Sequence, residues 1–236
     1  MKQKLFLILC TIVLSLSFLF PGSVQEPAVQ VSAVEEPPVE EPPVEEPAGE
    51  ILCFGDSITH ARGRGWVEMI GEKQGGVTMI NAGRSGRKTG DKDELAVPLS
   101  NNSDAGWVLF FLGANDLRDG TPEMVASCVE NMDWMISRVK EKIPEARIVL
   151  MAPVDINLET MNEINQNKKY NRKTKDSLYL MEKEYAKLAE KRGVDFISLL
   201  HAVSPGNFYD GLHPDQKGQQ EIADAVWQGL KKLSSE

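Results

Sequence analysis

Ile51-Leu52-Cys53-Phe54-Gly55-Asp56-Ser57-Ile58-Thr59 runs four apolar residues straight into a Gly-Asp-Ser turn. A continuous apolar run, unlike an alternating one, suits a strand covered on both faces, as in a parallel sheet. A serine placed just after such a strand projects from the top edge of the sheet, where neighbouring backbone N–H groups can face a developing oxyanion. Taken alone, Gly55-Asp56-Ser57 is a weak signal, since such a sequence is usually just a turn.

The same grammar repeats along the chain. Val77-Thr78-Met79-Ile80 ends at Asn81-Ala82-Gly83, Trp107 to Leu112 at Gly113, and Arg147 to Ala152 at Pro153; Val194-Asp195-Phe196-Ile197 is a weaker fifth run. Between them lie helical stripes. Val125, Cys128, Met132, Met135, Ile136, Val139 and Ile143 step by three and four, with Thr121 and Pro122 as cap and first turn. Leu178, Met181, Tyr185 and Leu188 form a second stripe closed by Gly193, and Ile222, Ala223, Val226, Trp227 and Leu230 a third. Five strands alternating with helices predict a three-layer α/β/α domain, doubly wound, with a parallel five-stranded sheet. Ligands of such sheets bind beyond the carboxyl ends of the strands.

Composition confines this domain to residues 50–236. Of the net charge of −9 over 236 residues, residues 1–50 hold two lysines and eight glutamates, which leaves −3 for the rest. A body without a basic footprint argues against nucleic-acid binding. Lys2 and Lys4 precede an apolar run from Leu5 to Phe20, the form of a signal peptide or membrane anchor over residues 1–23. Cleavage near Ser23 and after Val31-Ser32-Ala33 both remain open. Residues 34–47 repeat Val-Glu-Glu-Pro, so residues 24–49 read as a disordered Pro/Glu-rich linker, an extended spacer of about 40 Å. The expected location is extracytoplasmic, secreted or tethered to the cell envelope. Cys53 and Cys128 fall on a strand and an apolar helix stripe, and read as buried thiols without metal-type spacing.

Three further motifs sit at the expected edge. Asn81-Ala82-Gly83-Arg84-Ser85-Gly86 follows the second strand, where the Gly83 N–H is a candidate oxyanion donor, a flexible loop being the plainer reading. Gly113-Ala114-Asn115-Asp116 follows the third, offering the Asn115 amide as a donor or as the cap of an Asx turn. Near the C terminus, Tyr209-Asp210-Gly211-Leu212-His213-Pro214 sets a carboxylate three residues before a histidine. That spacing lets Asp210 accept from one ring nitrogen while the other takes a serine proton; metal ligation by the pair is the alternative. His60 and His201 lack such a partner.

Together and in this order, the four motifs resemble those of the SGNH/GDSL hydrolase family, over residues 50 to about 232. Gly55-Asp56-Ser57 looks like its first block, Gly83 its second, Gly113 to Asp116 its third and Asp210 to Pro214 its last. The resemblance implies a flavodoxin-like fold and ester hydrolysis without metal or organic cofactor. It makes Ser57 the nucleophile, His213 the general base and Asp210 its orienting partner, with the oxyanion hole built from the Ser57 N–H, the Gly83 N–H and the Asn115 side chain. No Gly-x-Ser-x-Gly elbow is present, unlike the ordinary α/β-hydrolases.

Asp56, Arg84 and Arg87 are candidate substrate contacts, because Arg84, Arg87, Lys88 and Lys92 cluster in a body that is otherwise slightly acidic. A solvated basic loop is the blander reading. Polar residues from Asp155 to Asn171 favour a small, O-acetyl ester of a carbohydrate over a lysophospholipid or acyl thioester, which would want an apolar groove. A non-catalytic surface binding module is a third possibility. Trp66 and Trp107 read as core rather than as sugar platforms.

Overall fold

The computed structural model describes residues 46–61 and 63–236. The expected signal or anchor, residues 1–23, and all but the last four residues of the expected linker lie outside them. In chain order the elements are β1 (Gly49–Gly55), α1 (Ser57–His60), α2 (Trp66–Lys73), β2 (Val77–Asn81), a 3₁₀ turn (Thr89–Leu95), α3 (Ala96–Asn101), β3 (Trp107–Phe111), α4 (Pro122–Lys142), β4 (Arg147–Ala152), α5 (Glu163–Asn167), α6 (Arg172–Arg192), β5 (Asp195–Ser198) and α7 (Gln216–Ser234). β1 opens at Gly49, one residue before the domain boundary read from sequence, and the Gly49 N–H already bonds Gly76 O at 3.0 Å.

All strand pairs are parallel, in the order β2-β1-β3-β4-β5. Successive residues of β1 serve opposite faces: Leu52 and Phe54 join one buried cluster with α4 and α6, Ile51 and Cys53 the other with α2 and α7. This explains the unbroken apolar runs, since every position of a strand covered on both faces is core. Each apolar helix stripe read from the sequence is buried, and so are Trp66 and Trp107. Cys53 and Cys128 are buried free thiols. Thr121 caps α4 through the Met124 N–H, and Gly193 ends α6 in the left-handed conformation at φ 57°.

The strand order reverses direction at β1: the chain moves outward to β2 on one side and then crosses to β3 on the other. A crevice opens beyond the carboxyl ends of β1 and β3 at such a switch point. The loops that carry Ser57 and Asn115 both enter it.

Candidate active site

Ser57 is the first residue of α1, so its N–H has no intrahelical acceptor. Asp56 forms the cap: its Oδ1 accepts from the Ile58 N–H at 2.9 Å, and it is 3% exposed. The Ser57 hydroxyl lies 3.0 Å from His213 Nε2, across 156 residues of sequence. His213 Nδ1 lies 2.8 Å from Asp210 Oδ2, and Asp210 Oδ1 accepts from the backbone N–H groups of Leu212 and His213 at 3.0 and 2.7 Å. Burial acts to raise the Asp210 pKa, but these contacts outweigh it and hold the carboxyl well below the usual range. The three predicted residues therefore form one hydrogen-bonded row, able to take a proton from the hydroxyl and to stabilise the imidazolium that results.

The turn bearing His213 is set by its neighbours. Gly211 has φ +81°, and a Cβ there would come within 2.4 Å of Met161 Cα, so only glycine fits. The loop after β4 and α5 bracket the turn: the Asn157 N–H donates to Gly211 O at 2.8 Å, and Asn165 Nδ2, from α5, to Asp210 O at 3.2 Å. Of the polar side chains expected to line the pocket only Lys168 does so: Asn162 caps α5, Asn171 caps α6, Gln166 donates to Met161 O and Asp155 pairs with Lys175. Tyr209 lies flat on the His213 ring, with centroids 5.6 Å apart and planes 13° from parallel.

Asn115 enters the same crevice from β3. Its Oδ1 accepts from Tyr170 Oη at 2.9 Å and Arg118 Nη2 at 3.3 Å, which fixes the amide with Nδ2 on the other side. Nδ2 donates to Asp56 Oδ2 and to Arg87 O, both at 3.2 Å, the long end of the usual range. Asp116 accepts from the Thr89 N–H at 3.1 Å and from Thr89 Oγ1 at 2.7 Å, tying the loop after β3 to the loop after β2.

That second loop corrects the sequence reading. The Gly83 N–H is spent on Asn81 Oδ1 at 2.9 Å, its Cα packs against the backbone of Thr59 and His60, and it does not line the pocket. Gly86, three residues on, lines it beside Ser57 and Asn115, at φ +77° with open space over its Cα. The motif holds two glycines three residues apart, which made the choice ambiguous, and the Ser85-Gly86 dipeptide, a turn former, was the available signal.

The proposed substrate contacts are also corrected. Asp56 is buried behind the serine turn and holds Asn115. Arg87 is 6% exposed, stacks over the Phe54 ring at 4.0 Å and donates to Gly55 O and Ala82 O, both at 2.6 Å. Arg84 lies on the surface, paired with Asp91 at 2.6 Å and Glu94 at 2.7 Å. Acidic residues seven and ten positions on thus pair with both arginines of the basic cluster, and Lys92 donates to Asn131. The residues that do line the pocket, a cavity of about 180 Å³, include Lys168, from the polar stretch read as a pocket loop, and Arg118, Tyr170 and Gln219, which the sequence reading did not single out. Arg118 stood three residues after Asn115 and was the most findable.

Residues 53–221 match the model of the GDSL-like lipase/acylhydrolase family. The chain belongs to that family. An arylesterase of Vibrio mimicus is 32% identical over 161 residues, 66% of this chain and 71% of the relative. Among solved structures, the lipase/acylhydrolase of Enterococcus faecalis is 25% identical with a TM-score of 0.59, covering 78% of this chain and 96% of that one. The aryl esterase of M. smegmatis superposes with a TM-score of 0.68 at 18% identity, covering 79% of this chain and 100% of the other. A catalytic mutant of an acetylxylan esterase from Geobacillus stearothermophilus gives 0.63 at 19% identity, with 79% and 96% covered. At these last two identities the likeness is one of fold. This GDSL-family protein is an esterase, a carboxylic ester hydrolase, acting on small-molecule esters.

Proposed function

We propose that ester cleavage runs through Ser57, His213 and Asp210, and the observation that carries this is the 3.0 Å contact between Ser57 Oγ and His213 Nε2. Oγ attacks the ester carbonyl while Nε2 takes its proton, and Asp210 stabilises the imidazolium. The carbonyl oxygen, now an oxyanion, is met by the Ser57 N–H, the Gly86 N–H and Asn115 Nδ2. Gly86 takes the place first assigned to Gly83, and the two 3.2 Å bonds of Asn115 Nδ2 are long enough to be shared with the incoming charge. Collapse of the intermediate breaks the bond to the alcohol oxygen, which leaves with the proton from Nε2. Water then repeats the sequence on the acyl-serine, releasing the acid and restoring Ser57.

The substrate in this reading is a short-acyl ester, an O-acetyl group on a carbohydrate. Support comes from the small cavity and from the polar side chains of Asn115, Gln219 and Ser85 around it. The Tyr209 ring, 54% exposed and parallel to His213, offers a flat face for a sugar or aryl alcohol. A lysophospholipase or thioesterase would need apolar surface for a long chain. The site is extracytoplasmic in this reading, with residues 1–23 as signal or anchor and the acidic proline repeats as an envelope tether or spacer.

Ser57→Ala tests the nucleophile: it should abolish turnover of 4-nitrophenyl acetate without lowering the melting temperature, and retained turnover sinks the assignment. Rates along acetate, butyrate and octanoate should fall; a rise towards octanoate favours the lysophospholipase or thioesterase alternative. N-terminal analysis of protein recovered from cell fractions tests export, and an intact Met1 on cytoplasmic protein overturns it.

A further inference from the structure

Of the cations that the sequence offered for an anionic substrate, Arg84 and Arg87 are neutralised by Asp91 and Glu94, Lys92 donates to Asn131, and neither Lys88 nor Lys92 lines the pocket. Two others take their place at the pocket. Arg118 and Lys168 both line it, and among the described residues no Asp or Glu does so. Among the described residues, neither forms an ion pair with a carboxylate. The carboxylates nearest the reacting atoms are occupied: Asp56 by the Ile58 N–H and Asn115, Asp210 by His213 and Leu212.

The placement is built rather than incidental. Arg118 and Lys168 each precede a residue with left-handed backbone, Asp119 at φ 67° and Lys169 at φ 71°. Such conformations are uncommon outside glycine and persist where surrounding contacts enforce them. Here the two residues enforce each other. The Asp119 N–H donates to Lys169 O at 3.0 Å, Lys169 Nζ pairs with Asp119 Oδ2 at 3.1 Å, and Asn171 Nδ2 adds a bond to Asp119 Oδ1 at 3.4 Å. The docked loops thus cancel one cation–anion pair, Lys169 with Asp119, and leave the preceding cation of each loop at the pocket. Arg118 commits only Nε, to Tyr170 Oη, and one Nη2 hydrogen, to Asn115 Oδ1; three of the five guanidinium N–H donors remain for a ligand.

We propose that the pocket selects esters bearing an anionic group close to the scissile bond, a carboxylate, sulfate or phosphate held by Lys168 and Arg118. The inference rests on the esterase site described above and narrows its substrate class. A planar anion suits the guanidinium fork, and the ammonium of Lys168 adds a point charge from the rim. The anion belongs to either the alcohol or the acyl part of the ester.

Matched ester pairs test this and separate the two sources. On the alcohol side, 4-acetoxybenzoate is compared with its methyl ester; on the acyl side, 4-nitrophenyl hemisuccinate with 4-nitrophenyl butyrate, each rate corrected for spontaneous hydrolysis. The anionic member of at least one pair should have a kcat/KM about three- to tenfold higher at low salt. That ratio should shrink in about 0.5 M salt, where the Debye length is a few ångströms, and fall below one in Lys168→Glu. A ratio at or below one in both pairs, or one that Lys168→Glu leaves unchanged, overturns the proposal. Calorimetry of 4-hydroxybenzoate and its methyl ester with the Ser57→Ala protein reads the anion site without turnover. If no ester were cleaved yet the carboxylate still bound more tightly in a Lys168-dependent manner, the reaction assignment would fail and the anion site would stand; equal binding of the two ligands together with ratios at or below one removes the site.

Discussion

Asp210 grips His213 at two points, its Oδ2 lying 2.8 Å from ring Nδ1 and its Oδ1 accepting from the His213 backbone N–H at 2.7 Å. One carboxylate thereby fixes both the position of the histidine's main chain and the orientation of its ring. The second acceptor contact, from the Leu212 N–H, closes a three-residue turn over Asp210, Gly211 and Leu212.

Asp210→Asn should therefore cost about 10³–10⁴ in kcat/KM, because the ring loses its charge partner and its fixed tautomer. Acid stability gives an independent sign. A carboxyl whose folded pKa is depressed contributes stability that is present above its unfolded value and lost on acidification through the folded one. The wild-type melting temperature should fall more steeply than that of the variant as pH drops below about 4; parallel curves would contradict the assigned contacts.

Asp56 titrates with the opposite sign. Burial raises its pKa to about 6, against the Ile58 N–H bond and the nearby His213 and Arg87 charges, which favour ionisation. A carboxyl with a raised folded pKa has its stability fully present below the unfolded value and loses it as pH rises through the folded one. Between pH about 4 and 6, wild-type stability should decline relative to Asp56→Asn. Melting curves at half-unit pH steps would show it, and a gap constant with pH argues against a strained buried carboxylate.

The two loop glycines should fail differently. Gly83→Ala puts a Cβ 2.3 Å from the His60 backbone nitrogen, and so should lower the melting temperature sharply. Gly86→Ala meets open space and bears only the left-handed penalty of about 1–2 kcal/mol. Its loss should appear in kcat, through a displaced N–H, while the fold survives. Full activity in folded Gly86→Ala protein would return the oxyanion role to other donors.

Tyr170→Phe keeps the ring and removes the hydroxyl that donates to Asn115 Oδ1 at 2.9 Å. With Arg118 still holding the same oxygen at 3.3 Å, kcat should fall about three- to tenfold and KM change little. An equal loss in kcat and in thermal stability would make Tyr170 a packing residue only.

Much of this protein is written locally. The five strands, the three long helix stripes and the buried cysteines follow from periodicity, because burial on both faces of a sheet or one stripe of a helix imposes its spacing on adjacent residues. Asp210 and His213 were legible for the same reason, as three residues of turn suffice to bring them together. Ser57 and Asn115 were legible as strand ends, since a parallel sheet delivers all such ends to one edge.

Tertiary structure decided what depends on contacts between loops distant in sequence. Whether Gly83 or Gly86 faces the serine turns on Asn81 capturing one N–H and on Asp116 anchoring Thr89 from another strand. Arg84 and Arg87 look free in sequence, and become an ion-paired surface group and a buried strut only once the 3₁₀ turn folds Asp91 and Glu94 back onto them. Arg118 and Lys168 stand 50 residues apart, and reach one pocket because Asp119 and Lys169 clasp their loops together. A residue type and its near neighbours set the local conformation, but charge is a property of the completed neighbourhood, so which cations remain unpaired at the site was settled only when the loops met.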